Sequence, residues 1–172
     1  MTTQQLILID CFCLVLLGLA AYFTRATPRR LLGALVGGVA ATVLGVGLDV
    51  AGHSLGWWHY TFVTTPYGPP LMYVAVGLWY GAGVALIGWR VTRRFGGRGQ
   101  AAFIGFMTVY GPIRDYVGVA ATGGAIQVIT PGIAPAVGDA ALWATIIAVA
   151  QGVMRLVAGP AASDRLARTR QT

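Results

Sequence analysis

Residues 31–52, LLGALVGGVAATVLGVGLDVAG, carry no charge until Asp49. A helix crosses the hydrocarbon core of a bilayer with about 20 mostly apolar residues, so this run predicts a transmembrane helix that ends in an acid. Gly33, Gly37, Ala41 and Gly45 recur at every fourth position and so share one helix face. Small residues at that spacing let helix backbones approach closely in lipid, where packing rather than hydrophobicity holds helices together. Gly77 and Gly81 repeat the pattern.

Outward from this run, four more of the same kind follow the chain: Leu6 to Thr24, Pro70 to Val91, Ala101 to Ala121 and Ala136 to Val157. Hydrophobic residues make up 56% of the chain and charged residues only 10%, whereas about a quarter of a soluble domain is charged. That composition excludes an ordinary soluble protein. The opening MTTQQ has no Lys or Arg before the first apolar run. A cleaved signal needs a basic start, so the first run reads as a permanent helix. Cys11 and Cys13 lie two residues apart in that run and point to opposite sides of a helix, which predicts no disulfide and no metal clamp.

The twelve basic residues are all arginine and the five acids all aspartate, giving +7 and a pI near 10.1. In a soluble protein such a balance points to nucleic acid; here the placement of the arginines points to the membrane surface and to no nucleic-acid partner. Arg25, Arg29 and Arg30 lie between the first two runs, Arg90, Arg93, Arg94 and Arg98 between the third and fourth, and Arg155, Arg165, Arg168 and Arg170 at or after the fifth. Short loops rich in arginine stay on the cytoplasmic side. The expected fold is therefore an all-α integral membrane bundle of five transmembrane helices in the cell membrane, with the N-terminus outside and the C-terminus cytoplasmic. Residues 1–158 form its single domain and 159–172 a basic cytoplasmic tail. Anionic lipid headgroups are the expected partners of the cytoplasmic arginines, and a homo-oligomer is compatible with the small-residue faces.

This topology places every intramembrane polar group toward the outer side: Asp10 on the first helix, Asp49 and His53 at the end of the second, Arg114 and Asp115 on the fourth, Asp139 on the fifth. Ionisable residues in a span are costly and face a bundle interior or a wet cavity, so acids from four helices at one depth predict a shared pocket. Asp49 and His53 are four apart, which allows a hydrogen bond on one face; the alternative is a helix-end acid and an interfacial histidine in water. No second histidine stands at ligand spacing, and no metal or cofactor is expected. Pro112 in VYGPIRDYVG removes a backbone donor and predicts a kink near Tyr110 that opens Tyr110, Arg114 and Asp115 to the pocket. Arg114 needs a partner, expected to be Asp49, Asp10 or Asp139 from other helices, with Asp115 pointing elsewhere.

The loop after residue 52, GWWHYTFVTTPYGPP, gathers rings between rigid Pro-Gly turns. An interface belt explains aromatic residues at headgroup level, but the turns favour a lid held over the bundle mouth. An acid on one helix, then G-W-W-x-Y, a Gly-Pro turn and an apolar helix opening P-P-L-M-Y resembles the small membrane-embedded carotenoid cyclases and carotenoid hydratases across Asp49 to Tyr80. The resemblance implies protonation of an isoprenoid double bond by a carboxylic acid with aromatic rings shielding the cation, which would make Asp49 the acid and Trp57, Trp58 and Tyr60 shielding rings. Where the cyclases carry paired glutamates after the turn proline, this chain has Leu71 and Met72.

The functional expectation is an enzyme acting by acid/base chemistry on a lipophilic, isoprenoid-like substrate that enters from the lipid bilayer. Asp49 or Asp115 would be the general acid, with His53, Arg114 and Tyr110 setting protonation and positioning water. Asp10, Trp57, Trp58, Tyr60, Tyr67, Trp79, Tyr80 and Asp139 would line the substrate site. The alternatives are a small transporter or proton-coupled carrier, which needs a polar path that the inner half does not offer, and a non-catalytic membrane subunit that packs a partner through its small-residue faces.

Overall fold

A computed structural model describes residues 1–163; Arg165, Arg168 and Arg170, with most of the expected basic tail, lie outside the described residues. Helix α1 (Thr3–Thr24) starts at Thr2, whose hydroxyl accepts from the Gln5 N–H while the Gln5 side chain accepts from the Thr2 N–H. This reciprocal cap satisfies two donors that a helix start leaves unpaired. Helix α2 (Pro28–Ser54) has Thr27 as its cap and Pro28 in its first turn, where proline's missing N–H has no helical partner to lose. A short strand β1 (Trp58–Tyr60) follows, then one turn of helix α3 (Pro70–Tyr73), a π-helical stretch (Val74–Tyr80) and the long helix α4 (Gly81–Thr122). Strand β2 (Gln127–Ile129), helix α5 (Ile133–Ala158) and a 3-10 turn (Ala161–Ser163) complete the described chain.

Among the described residues four helical stretches are long and apolar enough to cross a membrane: Thr3–Thr24, Pro28–Ser54, Pro70–Thr122 and Ile133–Ala158. Large apolar side chains such as Phe12, Phe23, Val43, Phe106 and Leu156 stand exposed on their outer faces, which suits a hydrocarbon solvent. The third stretch has 53 residues and would extend about 80 Å if straight. It is not straight. Gly96 has φ 64° and ψ −153°, a combination that a residue with a Cβ tolerates poorly, and the arms on either side fold together. Val84 and Met107 share one buried cluster, and a Cβ on Gly88 would lie 2.7 Å from the Phe103 ring. The break falls in the basic segment between Arg93 and Gln100, where the sequence predicts a turn between two helices. At Pro112, where the sequence predicts a kink, the backbone angles of α4 stay helical.

The small-residue stripe of α2 packs on α5. A Cβ on Gly37 would sit 2.6 Å from the Ala150 carbonyl oxygen, and one on Gly33 3.1 Å from that of Met154. The neighbouring face of α2 meets the π-helical stretch, with Gly38 against the Leu78 carbonyl and Gly77 against Thr42. The half of the bundle away from the ribbon is closed by Leu17, Ala34, Ala82, Leu86, Trp89 and Met154, and by Gln151, whose side-chain amide donates to the Ala85 carbonyl at 2.9 Å.

The loops that leave α2 and α4 meet in a two-stranded antiparallel ribbon, with Trp58 opposite Ile129, His59 opposite Val128 and Tyr60 opposite Gln127. The all-α expectation therefore needs this small addition. Its sequence signal was one short run of β-branched residues in GAIQVIT, flanked by glycine and proline.

Candidate functional site

Strand alternation turns Trp58 inward and His59 outward. The inward ring meets Asp49, in the penultimate turn of α2. The Trp58 indole N–H donates to Asp49 Oδ1 at 3.2 Å, while the Tyr60 and Tyr73 hydroxyls donate to Oδ2 at 3.0 and 2.6 Å. The Tyr73 oxygen in turn accepts from the Gly68 N–H at 3.0 Å. One carboxylate thus ties the ribbon, the Pro-Gly loop and α3 to α2. Burial first, then the negative charge of Asp49, pushes the Tyr60 phenol above its ordinary value, which keeps it a proton-bearing donor.

A second carboxylate is organised on α4. The Arg114 Nε donates to Asp115 Oδ1 at 2.9 Å, a second guanidinium nitrogen pairs with the same oxygen, and the Trp143 indole N–H donates to Oδ2 at 2.8 Å. The guanidinium lies 4.7 Å from the centre of the Trp143 ring and 5.9 Å from that of Tyr80, within cation–π range. This corrects the sequence expectation for Arg114: its partner is its direct neighbour Asp115, because the long arginine side chain folds back around the helix.

Three tryptophans of this region are seated on glycines. A Cβ on Gly52 would fall 2.1 Å from the Trp58 ring, one on Gly111 2.1 Å from Trp143, and one on Gly138 2.3 Å from Trp57. Each ring therefore occupies the space a side chain would need. Gly111→Val is expected to push Trp143 off Asp115, read as a shift in tryptophan emission and near-ultraviolet circular dichroism. Gly118→Val, with nothing within 4 Å, should leave both spectra unchanged; equal spectra for the two variants would contradict the seating.

These groups surround a cavity of about 310 Å³ between α2, the π-helical stretch, α4 and α5, under the ribbon. That is the low end of the size range for small-molecule sites. Asp49, Asp115 and Asp139 contribute carboxylates from three helices, and the remaining wall is chiefly apolar or aromatic. Tyr73, Val76, Gly77 and Tyr80, at the i, i+3, i+4, i+7 spacing of one helix face, all line the cavity from α3 and the π-helical stretch. Among the described residues no three His, Cys, Asp or Glu side chains gather closely enough to hold a metal ion.

Of the residues named from sequence, Asp49, Asp115, Arg114, Trp58, Tyr60, Tyr80 and Asp139 line this cavity. The others stand apart from its wall. His53 is exposed at the end of α2, and the oxygens of Asp49 go to Trp58, Tyr60 and Tyr73 instead. Tyr110 is 39% exposed and stacks on Phe106, but lies beside the cavity-lining Tyr80 and Arg114. Trp57 lies on Gly138, Tyr67 is 38% exposed, and Trp79 packs on the inner core. Asp10 is half-buried on α1, beside the cavity-lining Ile9. Sequence reasoning missed Tyr73 and Trp143 as partners of the two carboxylates. Tyr73 was visible as a ring three residues after the loop; Trp143 is a lone tryptophan in an apolar run, with no local sign of its role.

Fold and cavity together define a helical protein of membrane-spanning character with an aromatic, carboxylate-bearing cavity at one end. No family model, curated protein or solved structure matches the chain.

Proposed function

We propose that the chain is a multi-pass enzyme of the cell membrane that performs acid/base chemistry on a lipophilic, isoprenoid-like substrate inside this cavity. The observation that carries the reading is the meeting of Asp49, Asp115 and Asp139 around one cavity whose other walls are chiefly apolar or aromatic. Such walls accept a greasy ligand, and the polar groups are few and placed. Asp49, with Tyr60 and Tyr73 on one of its oxygens, is the proton-transfer unit. Arg114 and Asp115 neutralise each other and hold a fixed field on the far wall, with Trp143 setting their geometry. Protonation of a double bond, followed by cyclisation or hydration, is the reaction this arrangement serves, in line with the resemblance of Asp49 to Tyr80 to carotenoid cyclases and hydratases.

Two observations favour this over the alternatives. The inner half is closed chiefly by apolar side chains, and the one Gln151 amide among them is already bonded to the Ala85 carbonyl, which argues against a polar path for a carrier. The Gly33 and Gly37 face is consumed by α5 within the chain, which removes the surface a subunit would offer to a partner. Mass spectrometry of lipophilic compounds that co-purify with the protein, followed by their incubation with it, tests the enzyme. A bound compound that is never converted, together with proton flux in liposomes, would move the reading to a carrier.

In the proposed orientation the break at Gly96 is a cytoplasmic turn, the chain crosses five times, and the N-terminus and the ribbon face outward. With Cys11 and Cys13 replaced by serine, single cysteines at Thr65 and Arg98 are expected to react with an impermeant maleimide from opposite sides of intact cells or oriented vesicles. Labelling of both from one side would overturn the topology.

A further inference from the structure

The three carboxylates of the cavity are not equally engaged. Asp49 accepts at both oxygens, from Trp58 on one and from Tyr60 and Tyr73 on the other. Asp115 also accepts at both, from Arg114 and from Trp143. Asp139 is 6% exposed, lines the cavity, and has an Oδ2 that is buried with no hydrogen-bond partner. Folded proteins leave few buried polar atoms in that condition, and each asks for an explanation such as a ligand. On α1, Asp10 Oδ1 is likewise buried without a partner, next to Ile9 in the cavity wall.

Charge points the same way. Three aspartates line the cavity against one arginine, Arg114, and that arginine is already paired with Asp115. A ligand that both donates a hydrogen bond and carries positive charge would satisfy the vacant oxygen and the charge of Asp139 together. The rings of Trp58, Tyr60 and Tyr73, which also line the cavity, offer π faces and edges that tolerate a cation where aliphatic walls would not.

The rest of the ligand is indicated by a second space. An apolar groove of about 350 Å³ runs between α1 and α4, past Leu17, Ala20, Gly83 and Ile87. It shares Tyr80 and Val84 with the cavity, so the two spaces flank the same turn of helix. From Tyr80 to Arg90 at its far end the helix rises about 15 Å, enough for a hydrocarbon chain lying along α4.

We infer that the cavity binds a single-chain lipophilic amine, whose ammonium N–H groups donate to Asp139 while its chain passes Tyr80 and Val84 into the α1/α4 groove. The inference rests on reading the cavity as a site for a lipophilic ligand, but it does not depend on turnover.

The test uses the intact protein in detergent, with quenching of its tryptophan emission as the readout, since Trp58 and Trp143 line the site. Farnesylamine and farnesol share a chain and differ in the head. The amine is expected to bind at least about tenfold more tightly, as a charged hydrogen bond to a buried acid requires, and Asp139→Asn should erase that difference while farnesol binding persists. Ile87→Trp, on the exposed wall of the groove, should weaken farnesylamine and leave butylamine unchanged. Equal affinity of amine and alcohol for the unaltered protein would overturn the inference, even if Asp139→Asn failed to fold. Ile87→Trp weakening both amines alike, or neither, would overturn the placement of the chain. Amine binding without conversion of any co-purified compound would sink the enzyme reading and leave this one standing.

Discussion

Under the proposed function, Asp49→Asn is expected to lower turnover of a lipophilic substrate by about 10²- to 10⁴-fold, the usual loss when a general acid or base is removed, while the variant still purifies as a folded bundle. Asparagine keeps the size of the side chain but replaces one accepting oxygen with a donating amide. If its oxygen stays with Tyr60 and Tyr73, the amide faces the Trp58 indole N–H, two donors with nothing between them. That mismatch costs about 1–3 kcal/mol, a modest fall in thermal midpoint beside the loss of activity. Asp49→Ala removes the acceptor for all three donors and should lower the midpoint further, because the ribbon and α3 lose their common tie to α2. Product analysis and thermal unfolding in the same detergent separate the two effects. An unchanged product profile for Asp49→Asn would remove Asp49 from the chemistry and reduce it to a structural knot.

Gly37→Leu is expected to be the most damaging single change to the fold. The contact at Gly37 is backbone against backbone: even the first carbon of a side chain would lie 2.6 Å from the Ala150 carbonyl oxygen, and a helix carbonyl cannot swing away as a side chain can. Helices α2 and α5, the most extensively packed pair in the molecule, would have to separate. Forced overpacking costs about 1–3 kcal/mol even where neighbours can adjust, and in lipid no hydrophobic gain holds the separated helices together. The expected result is a lower thermal midpoint and loss of the monodisperse species on size exclusion. Gly47→Leu is the control, since nothing lies within 4 Å of a Cβ there. Equal behaviour of the two variants would show that the α2/α5 contact does not hold the bundle.

The contrast between Gly37 and Gly47 shows how far a pattern in sequence reaches. Spacing by four picked out Gly33, Gly37 and Gly45 as one face, and that face does meet α5. Spacing could not name the partner helix, nor could it show that Gly52, Gly111 and Gly138 are seats for tryptophan rings, because each seat is completed by a residue from elsewhere in the chain. Arg114 makes the same point. Its need for a partner follows from the cost of an unpaired charge in a span, but the choice of Asp115 depends on how its side chain lies against Trp143 and Tyr80. The Asp49 to His53 pairing was allowed by helix geometry and lost to three better-placed donors that arrive from β1 and α3.

What followed from the residues alone was the membrane-like composition, the apolar helices and the gathering of acids toward one end, since each rests on a local property: run length, charge, or position along a helix. The pairing of the two loops into a ribbon, the π-helical stretch between α3 and α4 and the unmet oxygen of Asp139 emerged only once the helices were packed. Those features depend on rotation and register between elements far apart in the chain, and a single amino-acid sequence encodes such relations only in the sum of many contacts.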